Sequence, residues 1–304
     1  MLTVPARART PQSRAGVRCA STDESRLART HFPLPSEMLA NCRQSSGRPV
    51  VYIFDNASID WASAAAQALG HPLFILDGPS HASGSVGGFY WFGDLPHNAQ
   101  VSSAEALSKL HSFYSQVVAN PGRLYSGSFF KGFDDRYAPW TKGRVVDQAC
   151  GLTFVRSLSA VSTYLGRSFS NLPLLQVATW NDYEEGTEVE TGIDNCAAVS
   201  AGVSGTVVKP VPSFTGVGSE ETVDHYEVYL SRDGKNLMDA GSVAVGGASL
   251  DVNTLGLPSG TYQVYVQMVG KSHISESRVA SSRSDSRRGV HAWTIFCLLA
   301  RTIF

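Results

Sequence analysis

Between Pro49 and Trp180 the chain alternates short apolar runs with longer amphipathic ones, and this rhythm narrows the possible folds more than any other feature. Pro49–Phe54 (PVVYIF), Pro72–Leu76 (PLFIL), Gly88–Phe92 (GFYWF), Leu124–Phe130 (LYSGSFF) and Leu172–Trp180 (LPLLQVATW) have the length and composition of buried strands. Between them, Ile59–Leu69, Ala104–Val118 and Val145–Leu165 read as helices. In the second of these Ala106, Leu107, Leu110, Phe113, Tyr114 and Val117 form one apolar stripe. A short helix is also expected over Pro35–Gln44, opened by a proline and followed by Gly47. Strands that are apolar throughout need cover on both faces, so the expectation is an α/β protein built on a parallel sheet.

After Cys196 the pattern changes. Tyr226, Val228 and Leu230 alternate with polar partners up to a turn at Arg232-Asp233-Gly234. Tyr262, Val264, Val266 and Met268 repeat the alternation after Leu257-Pro258-Ser259-Gly260. The layout expected is an Arg-rich, disordered leader over 1–34, an α/β domain over 35–198, an all-β sandwich over 199–277 and an irregular tail over 278–304. The segments YEVYLSRDGKNL and LPSGTYQVYVQ resemble a fibronectin type III or immunoglobulin-like module.

Several functions lack support. With 25 basic against 26 acidic residues and no basic stripe interleaved with aromatics, a nucleic-acid surface is not expected. The eight histidines are scattered, and neither HExxH nor CxxC occurs, so no metal or other cofactor is expected. No GxSxG elbow or GxxxxGK[ST] loop is found. The apolar run Trp293–Ala300 is far shorter than the roughly 20 residues that span a bilayer. Residues 1–30 carry six arginines without an apolar stretch of the kind a signal peptide needs. Of the five cysteines, Cys150 and Cys196 lie in the best-organised region; a disulfide and buried free thiols are both open readings.

The chemistry concentrates in Gln176–Glu190 (QVATWNDYEEGTEVE), where an apolar strand ends in a polar cluster. Acids at the carboxyl end of a parallel strand stand where (β/α)-barrel active sites are built. Asp182 and Glu185 are three residues apart, so one turn of chain brings both carboxylates to one side. Such a pair suits glycosidic hydrolysis, one group protonating the leaving oxygen while the other activates water, attacks carbon or deprotonates a neighbouring hydroxyl. Trp180 and Tyr183 can stack on sugar faces and Asn181 can bond hydroxyls. Asp134 and Asp135 end another strand, with Trp140 beyond them, and Trp91 follows a third; all four are candidate substrate contacts. Asp55 and Asn56 qualify by position alone. The competing readings are ordinary: a helix cap for the Asp182–Glu185 pair, a turn for Asp134 and Asp135, a core position for Trp91, and solvated charges for Glu184 and Glu188.

Asn181-Asp182-Tyr183-Glu184-Glu185-Gly186 resembles the signature of glycoside hydrolase families 71 and 99: Asn, acid, aromatic, any residue, Glu, small residue. Thr179–Tyr183 is especially similar to family 71, the endo-α-1,3-glucanases. The stretch from Glu185 to Glu190 is closer to family 99, the endo-α-mannosidases, and to WbsX-type surface-polysaccharide proteins. In spacing the resemblance extends over about residues 47–198. It implies a TIM-type (β/α)8 barrel, Asp182 and Glu185 as the catalytic pair, an α-linked polysaccharide as substrate, a monomer, and a secreted or cell-surface location. A complete barrel takes about 250 residues, so a partial, N-terminally truncated one is expected here, with its Pro49–Phe54 edge unpaired. The alternatives are a non-catalytic carbohydrate-binding or cell-surface interaction protein, and a polysaccharide-biosynthesis protein of the WbsX type.

Overall fold

The computed structural model describes residues 17–19, 44–45, 47–54, 59–78, 83–92, 95–139, 142–165, 174–271, 274 and 280–282. Five strands, β3 (Arg48–Ile53), β4 (Leu73–Asp77), β5 (Gly87–Phe89), β7 (Leu124–Phe129) and β10 (Leu174–Val177), pair in that order, each parallel to the next. Spatial order follows chain order without the reversal of a doubly wound sheet. Side chains show that the sheet curls. The Tyr52 hydroxyl on β3 donates to Ser126 Oγ on β7 at 2.9 Å, although those strands are three positions apart, about 14 Å in a flat sheet. Only a concave face brings them together, so the sheet is a half-barrel.

Alternation distributes the apolar residues between two layers. Val51, Ile53, Phe74 and Leu76 pack outward with Trp61 of α1 (Trp61–Gln67), whose first turn is capped by Asp60. Val50, Tyr52, Phe54, Ile75 and Phe89 fill the concave side, where Phe54 meets Phe89 and Trp91 edge-on at 4.9 and 5.2 Å. Helix α2 (Ser103–Ala119) begins where Ser102 Oγ accepts the Glu105 N–H. Its stripe is buried as the periodicity anticipates, against Tyr125, Phe130 and residues of α3 (Leu152–Leu165). Helix α3 begins seven residues later than Val145. Ala149, Cys150 and Gly151 all have left-handed backbone angles, which a right-handed helix cannot include. Val145–Val146 instead forms β9, flanked by β6 (Gln100–Val101) and β8 (Phe133–Asp134) in a small sheet within the connections that leave β5 and β7.

Two short strands occupy segments where no strand was expected. β1 (Val17–Cys19) pairs antiparallel with β3, so the leader covers part of the edge expected to be bare. β2 (Gln44–Ser45) also pairs with β3, which places Gln44 in a strand; the rest of the helix expected over Pro35–Gln44 lies outside the described residues.

From Ala197 onward the described residues are mainly β-strands, with short 3-10 turns at Glu220–Thr222 and Val252–Leu255. Strands β11 (Ala197–Ser204), β12 (Val207–Phe214) and β15 (Leu250–Asp251) form one antiparallel sheet. β13 (Val223–Ser231), β14 (Met238–Ala244), β16 (Gln263–Gly270) and β17 (Ala280–Ser282) form the other, in the order β14-β13-β16-β17. Between them Val199, Val208, Tyr226, Val228, Leu230, Val266 and Met268 make one core. β17 lies within the tail expected to be irregular, and it pairs with β16.

The two parts share a junction. Phe154 and Val155 of α3 pack with Val189, Ile193 and Ile274, and Arg156 pairs with Glu221 at 2.7 Å. Cys150 and Cys196 form a disulfide. Gly151 has φ +82, and a Cβ there would stand 2.8 Å from Ile274 Cδ1, so glycine is needed for both conformation and room.

Candidate functional site

The segment singled out by sequence follows β10 directly and folds back on itself. The Thr179 N–H donates to the Thr187 carbonyl at 3.0 Å, and the Val189 N–H to that of Trp180 at 3.0 Å. The two threonine hydroxyls meet at 2.7 Å. Within this loop Thr179 Oγ1 accepts the Asp182 N–H at 3.1 Å, and Asp182 Oδ1 accepts the Glu185 N–H at 3.2 Å. Asp182 thus caps the turn that carries Glu185, which is the capping role weighed against catalysis. Oδ2 of Asp182 takes no hydrogen bond among the described residues. Both carboxylates are half-buried, while Trp180 and Tyr183 beside them are 49% and 56% exposed. Asn181 is exposed as well. The Tyr183 hydroxyl donates to Glu190 at 2.9 Å, a bond that raises its pKa.

A second loop docks on the first. The Asp134 N–H donates to the Glu185 carbonyl at 2.7 Å. Gly186, with φ +59, has the Asp134 backbone and Cβ so close that a side chain there would crowd them at 3.1–3.3 Å. Asp134 and the carboxylate pair are therefore brought together through backbone. Its own carboxylate is held by Arg136 at 2.9 and 2.7 Å, and hydrogen bonding to that guanidinium keeps its pKa low. Asp135 departs from the expectation of a substrate contact: it is fully buried and its Oδ2 meets Arg144 at 2.7 Å. Arg144 in turn bonds the Phe92 carbonyl and lies over the Phe133 ring, so this pair pins the loops from inside. Trp140, Asp55 and Asn56 lie outside the described residues.

Trp91 is half-buried against Phe54 and Phe92. With Asp77, Tyr90 and Lys109 it lines a cavity of about 250 Å³. Neither Asp182 nor Glu185 lines that cavity; the pair occupies the rim of the strand ends.

Two features escaped the sequence reading. Lys131, just past β7 and only 5% exposed at its side chain, pairs with Glu188 at 2.6 Å. Glu188 is therefore not a solvated charge, whereas Glu184 is exposed. Tyr137, 87% exposed, stands on the loop that reaches Glu185. The signal for both was position: each follows an apolar strand at the same end as Asp182.

Among the described residues no group of His, Cys, Asp and Glu could hold a metal ion. No described helix is long and apolar enough to cross a membrane, which says nothing of β-barrels.

No family model matches the chain, and no curated protein does. Two solved structures are similar in part. One is the pectate lyase Pel3 from Pectobacterium carotovorum, with 15% identity over 30% of this chain and 27% of that one, TM-score 0.21. The other is the Clostridium perfringens spore cortex lytic enzyme SleM, with 12% identity over 69% of this chain and 66% of that one, TM-score 0.21. The chain thus spans about a quarter of the first and just under two thirds of the second, and at such scores neither likeness bears on fold or function.

Proposed function

We propose that this chain is a glycoside hydrolase, or a portion of one, that cleaves an α-linked polysaccharide with Asp182 and Glu185 at the end of a TIM-type barrel strand. One observation carries the reading: a parallel strand of a curled sheet runs out into two half-buried carboxylates one turn apart, flanked by exposed Trp180 and Tyr183. In this role one carboxyl donates a proton to the glycosidic oxygen as the bond breaks. The other takes a proton from water or from a sugar hydroxyl, or attacks carbon itself. The aromatic rings hold the sugar by its apolar faces. Asp134, whose backbone supports the Glu185 turn, positions the pair. The sandwich after Ala197 is read as a fibronectin type III-like companion. The Cys150–Cys196 disulfide favours a secreted or cell-surface protein, acting as a monomer.

A second reading has its own observation. Asp182 spends one oxygen on capping its turn, as it would in a carbohydrate-binding protein without catalysis. Reducing-end release from α-1,3-glucan and α-mannan separates the two. The purified chain is expected to release sugar, and the Asp182→Asn/Glu185→Gln variant, with an unchanged melting midpoint, to lose at least about a thousandfold in rate. Equal rates in both proteins would remove the pair from catalysis.

A further inference from the structure

Between β9 and α3 the chain takes a backbone that its own residues do not favour. The periodicity of Val145–Leu165 is helical, yet Ala149, Cys150 and Gly151 have φ of 48, 53 and 82°. Left-handed angles are costly at Ala149 and Cys150, which carry a Cβ, and persist only where the surroundings impose them. Helix signals stand on both sides of the turn. Asp147 Oδ1 accepts the Ala149 N–H at 2.8 Å, as an N-cap residue does. Gln148 (φ −71, ψ −22) and Leu152 (φ −63, ψ −37) already have right-handed angles. Three residues thus separate α3 from a start at Gln148, and the middle one is bonded to Cys196.

The same turn is tied to the candidate carboxylates through backbone. Val145 and Val146 of β9 pair with Asp134 and Phe133 of β8. The Asp135 N–H donates to the Arg144 carbonyl at 3.1 Å, and the Asp134 N–H to the Glu185 carbonyl at 2.7 Å. On the other side the chain runs from Glu185 past the packed Ile193 to Cys196. The disulfide therefore closes a ring of contacts that includes the Glu185 turn. We infer that Cys150–Cys196 is a redox switch for that turn, thrown by a small dithiol. Both cysteines are only half-buried, so such a reductant can reach the bond. One thiolate of the dithiol attacks a cysteine sulfur, and the other cysteine leaves as a thiolate. The second thiol of the reductant then displaces the mixed disulfide. The reductant ends as a cyclic disulfide, while the protein gains two electrons and, with two protons, two thiols. Freed from Cys196, residues 148–151 turn right-handed and join α3 behind the Asp147 cap. This draws Val145 and Val146 off β8 and leaves Asp134 without its hold on Glu185. The turn is the two-state element, and the oxidised bond selects the state in which the carboxylates are braced. Control of catalysis by this switch rests on the proposed role of Asp182 and Glu185; the change of structure does not.

The test is amide hydrogen exchange of the full native chain, followed by NMR with and without dithiothreitol. Reduction is expected to speed exchange at the Asp134 amide about tenfold or more and to leave the amides of Tyr226, Val228 and Leu230 in the sandwich unchanged. Cys150→Ser/Cys196→Ser should exchange fast at Asp134 whether or not reductant is present. Ala149→Gly, in which the left-handed angle carries no Cβ penalty, should keep the turn after reduction and cut the response by about threefold or more. The proposal is overturned if dithiothreitol leaves the bond intact in the folded chain, if reduction does not alter exchange at Asp134, if the sandwich amides accelerate equally, or if Ala149→Gly responds in full. Where the oxidised chain hydrolyses α-1,3-glucan or α-mannan, reduction should lower kcat by about threefold or more. A chain inactive in both redox states removes the hydrolytic reading, while exchange at Asp134 still decides the switch.

Discussion

Burying an ammonium group costs several kcal/mol unless a counter-charge is placed against it, and among the described residues Lys131 finds that counter-charge in Glu188 at 2.6 Å. Glu188→Gln is therefore expected to cost about 3 kcal/mol in urea unfolding, whereas Lys131→Met/Glu188→Leu, which removes both charges, should come close to the native value. A single-variant loss below about 0.5 kcal/mol would show that the pair is solvated after all. His225 behaves differently, because an imidazole ordinarily titrates near neutrality. Burial opposes its charge most, yet hydrogen bonds at 2.7 Å to Asp224 and Glu227 outweigh that, and its pKa is raised. A raised folded-state pKa means stability that is fully present below the unfolded value, about 6.5, and lost as pH rises through the folded one. The gap in unfolding free energy between the native chain and His225→Gln should accordingly be wider at pH 5.5 than at pH 8.5, by less than about 1 kcal/mol since the ring is partly exposed. An equal gap at both values would show that neither carboxylate acts on the ring. The residue scale is also where sequence is least informative. The three-residue spacing of Asp182 and Glu185 is visible in any reading, but Lys131 and Glu188 are 57 positions apart, and their pairing exists only once β7 and β10 lie side by side. Asp135 looked as available as Asp134, and Arg144 decides otherwise.

Elements with their own period were legible. The stripe of α2 predicts its buried face residue by residue, and Leu110, fully buried there, should cost about 2–5 kcal/mol as Leu110→Ala in equilibrium unfolding. A cost near zero would mean that α2 does not pack on the sheet. The alternation in β13 and β16 was equally readable, since a strand with one covered face writes that face into every second residue. Elements held by their neighbours were not. Val17–Cys19 and Ala280–Ser282 are three residues each, too short for a pattern, and they are strands because β3 and β16 offer them an edge. The late start of α3 has a similar cause. Val145 and Val146 fit a helical stripe as well as a strand, and the choice falls to the left-handed turn at 149–151 and to the pairing offered by β6 and β8.

At the scale of the whole molecule, a half-barrel and a sandwich are joined by the very segment that follows the candidate carboxylates. The chain leaves Glu185, passes Val189 and Ile193, which pack beneath α3 beside Ile274, and reaches Cys196, which is bonded back to Cys150 at the start of that helix. The sandwich thus braces the site loop from its far end, with Arg156–Glu221 alongside. Sequence reading left the two cysteines open between a disulfide and free thiols, because pairing depends on a turn that swings Cys150 out of the helix and no spacing rule encodes it. The bond closes a loop of 46 residues, for which the chain-entropy argument gives about 4 kcal/mol. Released strain and residual structure in the unfolded chain usually reduce that figure, so Cys150→Ser/Cys196→Ser is expected to lower stability by roughly 2–4 kcal/mol. In a protein of this size that is a drop of about 4–16 °C in melting midpoint. Reductant should lower the midpoint of the native chain by a similar amount and leave the double serine variant where it was. If the variant melts with the native protein, or if reductant shifts both alike, the covalent link is not what fastens the sandwich to the site loop, and the apolar cluster around Ile193 and Ile274 carries the junction with Arg156–Glu221.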